Sequence, residues 1–538
     1  MFHQVLNPTG NLGLTVLAAL IPVIVLLVLL AAFRMTAWLA TLIGSILTLI
    51  VAVLLWQMPI GNGIQSYLIG SANGIWAVDW ITFWGLVIFN TLRLTGLFDT
   101  FKNWLVEQAT ADVRVQAILL AWALGALLEG LVGFGYPWAV VAPILVALGV
   151  VELDALRVAA IANNAPVSYG ALGAPIIALA TVTSLPLLSL SASVGRVVAV
   201  LALLPPWVLI YLVAGRKGFR DGWPLAVVGS LAYIAGQLPV SQFLGPYLPD
   251  VVGALVCFVA IILLLKVWRP RTVLGYGGVV LSEEEQQAES ATRAGNSASW
   301  RSVLQALLPF LILIVVVVLW TGPWSGLPKI AAPSLLVKAV SSISHKTTSV
   351  SFAYTPFIGG TAILASWLVM LLFIRPNPGL LGQVFRDTFR QMWGALLVGV
   401  FIFGLAFVFN YSGMASSLAY GFSKVGPAFI LLAPILGWIG VALSGSNTST
   451  NSLFGLVQVQ VGRLLGFPVL LLPSMNSVGA EVGKPVAPQT ASVGVSTSKF
   501  VRNEGQVIRH NMGWTLVLLA WLILVGLLYY FLLPGLMK

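Results

Sequence analysis

The chain has 538 residues, of which 59% are hydrophobic and 8% are charged, with a mean hydropathy of +1.00. Soluble domains carry about 25% charged residues, and a water-soluble globule has too little interior to bury this much apolar surface. The formal net charge of +11 lies mainly in short segments between apolar runs, which is typical of membrane topology and argues against nucleic-acid binding. The bilayer is therefore predicted to be the solvent for most of the chain.

Apolar runs of about 20 residues, long enough to cross a ~30 Å hydrocarbon core, recur along the chain. They predict an all-α polytopic membrane protein of about 12–14 membrane segments. The first run lacks a preceding basic segment and a small-residue cleavage site, so it is predicted to remain as a span. The clear candidates are 12–32, 37–56, 74–92, 192–213, 224–243, 250–267, 303–320, 357–374, 392–410, 428–443 and 514–535.

Basic residues predict the orientation of these spans. Arg and Lys cluster in residues 216–220, 266–271, 375–390 and 499–509, which the positive-inside tendency assigns to the cytoplasm. Counting spans from these clusters places both the N-terminus and the C-terminus outside. Residues 268–302 are then a cytoplasmic linker, of which Ser282 to Ser299 is predicted to be flexible.

Two apolar regions, 115–185 and 444–498, are interrupted by Gly, Pro, Asn and Ser. The span count requires a hairpin at 115–150 and an interrupted crossing at 155–185, and again a hairpin at 428–462 and an interrupted crossing at 467–498. The chain is thus predicted to be a single transport domain, 1–538, with halves 1–267 and 303–538. Because the halves enter the membrane from opposite faces, they are expected to form an inverted repeat. The spacing of polar residues in the two halves does not match closely, so chance similarity is the alternative.

Residues 125–137 combine four glycines and a proline with Glu129 inside an apolar stretch. Backbone released from a helix at this depth must be buried in protein or line a wet cavity. An ionisable side chain within the membrane costs at least about 2.5 kcal/mol and marks a proton or ion path. Glu129 is therefore predicted to carry a proton; the alternative is a structural carboxylate that caps a broken helix or pairs with a cation.

Residues 163–175 contain two prolines, each of which removes a backbone donor and breaks the helix. A fragment starting near Ser168 or Gly173 would present free N–H groups, which bind a carboxylate without a fixed charge. Asn163, Asn164 and Ser168 add neutral donors. This segment predicts a site for a small anion, with an Asn- and Ser-lined packing interface between helices as the alternative.

The segment 444–452 is nine residues long, and eight of them are polar. In lipid each polar side chain needs a partner, so the segment is predicted to line a site rather than to fill a packing interface. Its groups would bind a carboxylate and a hydroxyl together, or equally coordinate Na⁺. The candidate residues are Ser444, Ser446, Asn447, Thr448 and Ser449.

Residues 476–490 contain Lys484, the cation that the sequence places deepest in the broken core, flanked by the neutral donors Asn476 and Gln489. Lys484 is predicted to pair with the carboxylate of the substrate or with Glu129. An internal pair with Glu481, three residues earlier, is the alternative. The glycine spacing upstream of Lys484 is not that of a phosphate-binding loop.

Other classes of protein find little support. The three histidines and the single cysteine, Cys257, are scattered, so neither a metal site nor an intrachain disulfide is predicted. No cofactor is expected, and no combination of residues suggests an enzyme. A channel would need a continuous polar lining, whereas the polar residues concentrate at one depth. These features predict a secondary carrier, and a Na⁺-coupled carrier of another organic anion, such as a dicarboxylate, stays as the alternative.

Several short motifs lie in the broken segments and in the loops beside them. They are Leu128-Glu129-Gly130 with Gly133-Phe134-Gly135, Asn164-Ala165-Pro166-Val167 with Gly170-Ala171-Leu172-Gly173-Ala174-Pro175, Ser444-Gly445-Ser446-Asn447-Thr448-Ser449, Gly483-Lys484 with Pro488-Gln489, Gly245-Pro246 with Leu248-Pro249-Asp250, and Asn410-Tyr411-Ser412-Gly413. In these residues and in their order the chain closely resembles the L-lactate permease family, and the match covers most of its length.

The resemblance implies proton-coupled symport of L-lactate, with D-lactate and glycolate as further substrates, across the bacterial plasma (inner) membrane. It also implies two inverted repeats with re-entrant hairpins and an elevator-like motion. The expected partners are substrate, protons, membrane lipid and a second copy of the chain. Two positions depart from the family: Asn447 stands where an aspartate is usual, and Glu481 where a small residue is usual. The first departure would shift proton coupling to Glu129, and the second would give Lys484 an internal partner.

Overall fold

A computed structural model describes residues 1–287, 299–496 and 498–538, which form a bundle of helices. Within these ranges eleven helices are long and apolar enough to cross a membrane, and one bent helix pair brings the number to twelve. Tyr136–Ala147 and Gly359–Ile374 are shorter apolar helices. The predicted all-α polytopic membrane fold is confirmed. Part of the predicted flexible linker, residues 288–298, lies outside the described residues.

The principal helices are numbered here in chain order. Helices α1 to α20 are Leu12–Ala31, Ala37–Leu54, Ile60–Leu94, Leu97–Gln108, Val113–Leu131, Tyr136–Ala147, Glu152–Ala162, Gly170–Thr183, Leu187–Ala214, Lys217–Phe243, Pro249–Val267, Trp300–Thr321, Gly359–Ile374, Pro378–Ser412, Met414–Ser423, Phe429–Ser444, Asn447–Leu465, Leu471–Gly483, Pro488–Gly494 and Glu504–Phe531.

Three helices begin well before the spans predicted at 74–92, 392–410 and 514–535. Helices α3 and α14 are each 35 residues long, and α20 has 28 residues. Helix α14 begins at Pro378 and is capped by Asn377, whose side chain accepts a hydrogen bond from Leu380 N. The predicted spans correspond to the apolar parts of these longer helices, because hydropathy detects apolar turns and does not register the polar turns that continue a helix.

Two pairs of helices fold back on themselves at glycine turns. Helix α6 packs against α5 after a turn in which Gly133 and Gly135 have φ values of +69° and +77°. Helix α17 packs against α16 after Gly445, which has a φ of +74°. Glycine is favoured at these positions because a β-carbon disfavours the left-handed conformation. These turns lie within the segments 115–150 and 428–462, where hairpins were predicted.

The segment after α7 is broken and bent. Helix α7 and the helical segment Val167–Thr183 differ in direction by 68°. The polypeptide passes through a 3₁₀ turn at Val167–Tyr169, and Ala171, Leu172 and Gly173 then have φ values of 46°, 57° and 84°. A left-handed conformation costs a non-glycine residue about 1–2 kcal/mol. Such strain persists only where the surrounding structure holds it in place, as it does at many functional sites.

A second break follows α18. That helix ends at Gly483, a 3₁₀ turn covers Lys484–Val486, and Ala487 is extended before α19 begins at Pro488. Prolines at 485 and 488 remove backbone donors at this point, which favours the interruption. The two breaks, 163–170 and 484–487, bring irregular backbone and polar side chains into the interior of the bundle.

A small sheet joins the N-terminus to the loop between α12 and α13. Strand Phe2–His3 pairs in parallel with Leu335–Val340, which pairs in antiparallel fashion with Thr347–Phe352. The Gln4 side chain donates to the carbonyl of Asn410 at 3.1 Å, close to the end of α14. The N-terminus, this sheet and the end of α14 therefore lie at one face of the bundle.

Helices α16 and α18 cross with their backbones in direct contact. A β-carbon added to Gly479 would lie 2.8 Å from Pro434 Cα, and one added to Gly437 would lie 3.0 Å from Ala480 N. Small residues allow this approach, and packing replaces the hydrophobic effect as the force between helices in lipid. This crossing fixes the second hairpin to the second broken segment.

Replacing Gly479 by leucine is expected to destabilise the protein by about 1–3 kcal/mol, because the added side chain meets backbone that cannot yield. The measurement is thermal unfolding of the protein in detergent. Gly513→Leu is the matched control, since Gly513 also lies in a helix but a β-carbon there meets nothing within 4 Å. Equal thermal midpoints for the two variants would show that the close crossing does not contribute to stability.

Candidate functional site

Glu129 and Lys484 form a buried ion pair between α5 and the second break. Lys484 Nζ lies 2.5 Å from Glu129 Oε1, and Asn163 Nδ2 donates to Glu129 Oε2 at 3.0 Å. The side chains of Lys484 and Glu129 are 6% and 2% exposed. Burial of two charges is tolerated when they are close together and their remaining polar atoms are bonded. Three residues predicted from separate segments thus meet at one place.

Glycines hold this carboxylate against the first break. A β-carbon on Gly170 would lie 2.5 Å from Glu129 Oε1, and one on Gly133 would lie 3.6 Å from the same atom. A side chain at position 170 would therefore displace the carboxylate from Lys484. The glycines of the hairpin and of the break are required in part because Glu129 passes between them.

A second carboxylate binds the backbone of the first break. Ser168 N donates to Glu481 Oε1 at 2.6 Å, and Ser168 Oγ lies 2.9 Å from Ser477 Oγ. Lys484 therefore pairs with Glu129 on another helix rather than with Glu481 three residues earlier, which was the alternative from the sequence. The amide of Ser168, predicted as a donor to an anion, donates to an anion of the protein itself.

Amide and hydroxyl side chains from α17 and α18 extend the site. Asn447 Nδ2 donates to the Ser477 carbonyl at 3.1 Å and lies 3.4 Å from Ser168 Oγ. Asn451 Nδ2 donates to Ser477 Oγ at 3.0 Å, and Asn476 Nδ2 donates to Asn451 Oδ1 at 3.0 Å. The two halves of the chain are therefore joined by hydrogen bonds at the first break.

The remaining candidates of the segment 444–452 mainly build the hairpin turn. Ser446 caps α17 by accepting from Ser449 N at 3.1 Å, and Ser444 Oγ donates to the Ser446 carbonyl at 3.3 Å. Thr448 is half-buried, and its carbonyl accepts from Ser452. These contacts satisfy helix ends, a role that hydroxyl side chains perform in any protein.

Gln489 and Gly173 lie beside the site rather than in its bonded network. A β-carbon on Gly445 would lie 2.8 Å from Gln489 Cβ, so Gln489 packs on the second hairpin turn. Its neighbour Thr490 contacts both turns, since its hydroxyl donates to the Gly445 carbonyl at 3.3 Å and its methyl faces Gly135. Gly173 packs against Pro246. The start of α19 thus lies between the two hairpin turns.

Asp250 is a third buried carboxyl group beside the site, and it was not among the predicted site residues. Tyr233 donates its hydroxyl to Asp250 Oδ1 at 2.9 Å, and a β-carbon on Gly130 would lie 2.7 Å from Asp250 Cβ. Asp250 is also within electrostatic range of Glu481 and Lys484. It stands at the start of α11 directly after Pro249, and a single acid at the end of a span carries no sequence signal of burial. Ser477 and Asn451 were also missed as site residues, although both belong to polar segments.

Several polar atoms around the two breaks have no hydrogen-bond partner within the described parts of the chain. A buried donor or acceptor without a partner costs about 1–3 kcal/mol, and each one calls for an explanation such as a bound ligand. Carboxylates and amides of this set surround the first break, so the site has unused capacity for a polar ligand. The atoms are Asn163 Oδ1, Asn164 Oδ1 and Nδ2, Asn447 Oδ1, Asp250 Oδ2 and Glu481 Oε2.

Comparison with known proteins agrees with this architecture. A family model described as L-lactate permease matches residues 15–533. The chain belongs to the L-lactate permease family. It is 32% identical to the glycolate permease GlcA of Escherichia coli strain K12, over 99% of both chains. It is also 32% identical to the L-lactate permease of Bacillus subtilis strain 168, over 96% of both chains.

Among solved structures, the YdaH transporter of Alcanivorax borkumensis is similar at 16% identity and a TM-score of 0.45, covering 88% of both chains. The family assignment and the eleven apolar spans together identify a multi-pass membrane protein.

Removal of one member of the Glu129–Lys484 pair should destabilise the fold strongly, since it leaves the other charge buried and unpaired. Lys484→Ala is expected to lower the free energy of unfolding by about 3–5 kcal/mol. The control is Lys102→Ala, because Lys102 pairs with Asp99 at 2.6 Å on the surface, where a pair contributes about 0–1 kcal/mol.

The double variant Glu129→Gln with Lys484→Ala should recover part of the loss, because neither member of the pair is then left charged without the other. Thermal unfolding in detergent measures all three variants. If Glu129→Gln lowers the stability of the Lys484→Ala variant as much as it lowers that of the wild-type protein, the two side chains are not coupled.

Proposed function

We propose that the chain is a secondary active transporter that carries L-lactate together with a proton across the bacterial inner membrane, with D-lactate and glycolate as further substrates. The observation that carries this proposal is the 2.5 Å ion pair between Lys484 Nζ and Glu129 Oε1 beside a broken helix. The names of the relatives, which are permeases for L-lactate and glycolate, support a 2-hydroxymonocarboxylate as the substrate.

Lys484 and the first break together suit a small carboxylate. The ammonium group carries three N–H donors, so it can exchange the carboxylate of Glu129 for that of a substrate or hold both during the exchange. Beside the break, Asn164 Nδ2 is an unpartnered donor, and the Oδ1 atoms of Asn163 and Asn164 are unpartnered acceptors. A donor of this kind binds a carboxylate oxygen and an acceptor binds the adjacent 2-hydroxyl group, which favours lactate and glycolate over acids without the hydroxyl.

Charge balance supports coupling to a proton. If Glu129, Glu481, Asp250 and Lys484 were all ionised, the cluster would already hold two negative charges in excess. A further uncompensated anion away from water costs several kcal/mol, so a substrate carboxylate enters favourably only with a positive charge. A proton on Glu129 meets this need, because Lys484 is then released to the substrate. One proton per monocarboxylate leaves the net charge of the site unchanged.

The two hairpins and the two broken segments support an inverted-repeat architecture. In each half a helical hairpin is followed by an interrupted crossing: α5–α6 with α7–α8, and α16–α17 with α18–α19. Glu129 comes from the first hairpin, and Lys484 from the second break. We propose that substrate is exposed alternately to the two faces by movement of one part of the bundle against the other.

The distribution of basic residues supports an orientation with both termini outside. In this orientation the sheet that includes Phe2–His3 faces the exterior. The segment 268–302 then connects the two halves on the cytoplasmic side.

The test is uptake of labelled L-lactate into proteoliposomes under an imposed proton gradient. Uptake should rise with an inward proton gradient in the wild-type protein, and Glu129→Gln should abolish that dependence because the amide cannot load a proton. Glu107→Gln, on helix α4, is the matched control and should keep the dependence. Gradient-driven uptake by Glu129→Gln would remove Glu129 from the coupling mechanism.

A Na⁺ gradient imposed at constant pH separates the proposal from its rival. Uptake should not respond to Na⁺, and a membrane potential alone should not drive it, since one proton and one monocarboxylate carry no net charge together. Uptake driven by Na⁺ would instead assign coupling to the hydroxyl and amide oxygens around Asn447.

A further inference from the structure

Glu481 lies where a bound anion would be expected. Its Oε1 accepts from Ser168 N at 2.6 Å, inside the break between α7 and α8. The residue is completely buried, and its Oε2 has no partner in the described portion of the chain. A carboxylate held by one amide, with its second oxygen unbonded, is a poor structural cap.

Glu481 forms no direct ion pair with the nearest cation. Lys484 is three residues later on the same segment and within electrostatic range, yet its ammonium lies 2.5 Å from Glu129. Removal of Glu481 should therefore weaken the fold less than removal of a member of the ion pair does. The position of Glu481 calls for a reason other than stability.

We propose that Glu481 is a built-in competitor that occupies the Ser168 amide and is displaced from it by the carboxylate of the transported substrate. This inference rests on the proposed function for the location of the site, and it adds a residue that sets the affinity. A substrate anion must break the contact between Ser168 N and Glu481 to use the same donor. Affinity for the anion is therefore lower than the site's donors alone would give, and release of substrate is correspondingly easier.

The competition depends on protonation. An ionised Glu481 repels the incoming anion and competes for the amide, whereas a protonated Glu481 no longer repels it and can donate its O–H to the substrate. The difference between wild type and a variant without this carboxylate should therefore be large at alkaline pH and small at acidic pH. The titratable and charged groups that face Glu481 are Glu129, Asp250, Lys484, Tyr169 and Tyr233.

Binding of L-lactate and glycolate to the full-length protein in detergent, measured by calorimetry, tests the proposal without any gradient. At alkaline pH, Glu481→Ala and Glu481→Gln should bind both acids more tightly than wild type, on the order of tenfold for Glu481→Ala. At mildly acidic pH wild type and Glu481→Gln should converge, because both side chains are then neutral and carry a donor. Weaker binding by Glu481→Ala with restoration by Glu481→Gln would overturn the proposal, because it indicates a structural role.

Asp250→Asn is the comparison variant, because Asp250 belongs to the same cluster but does not contact the Ser168 amide. Its effect on affinity should be clearly smaller than that of Glu481→Gln. Equal effects would assign the change to general relief of negative charge and would reject competition at the amide. Should Glu481→Ala not fold, Glu481→Gln has nearly the same shape and still decides between the outcomes.

The result is separable from that of the proposed transport. If uptake does not respond to a proton gradient but Glu481→Ala binds lactate more tightly, the competition by Glu481 is supported and proton coupling is rejected. If uptake responds to the proton gradient but the Glu481 variants bind lactate no more tightly than wild type, proton coupling is supported and the competition by Glu481 is rejected.

Discussion

A charge removed from water is stable in the membrane interior only beside an opposite charge, and this constraint determines how the two breaks must lie. Glu129 comes from a hairpin in the first half of the chain and Lys484 from a break in the second half, and their atoms meet at 2.5 Å. Neither group could remain ionised at that depth alone. The pair therefore requires the halves to pack so that both interruptions lie at the same place, and Asn163 adds a hydrogen bond from the first break.

The local backbone follows from the same constraint. Interrupted helices expose amides that lipid cannot satisfy, so the interruptions must be surrounded by protein. Here the amide of Ser168 donates a hydrogen bond to Glu481, and the hydroxyl of Ser168 is hydrogen-bonded to that of Ser477. The left-handed residues Ala171 and Leu172 carry strain that the surrounding contacts must hold. Polar contacts between the halves thus stabilise a conformation that the isolated segment would avoid.

Much of the fold could be predicted from hydropathy, because lipid demands apolar runs of a definite length. Helix starts such as Pro378 could not, since polar turns beyond the hydrocarbon layer leave no such signal. The breaks near Asn163 and Lys484 were visible as prolines and glycines within apolar runs. The partner of Lys484 was not decidable, because a neighbour at three residues and a carboxylate 355 positions away are equally plausible on sequence alone. Asp250 was missed because a single acid at the end of a span gives no sign of burial, which here depends on packing against Gly130.

The crossing of α16 and α18 has a mechanical consequence. At Gly437 and Gly479 an added β-carbon would lie within 3.0 Å of main-chain atoms of the other helix, so these two positions have no space for a side chain. Helices packed this closely are expected to move as one rigid unit. The glycine turn at Gly445 and the stretch 484–487, which join this unit to α17 and α19, are then places where the backbone would have to bend.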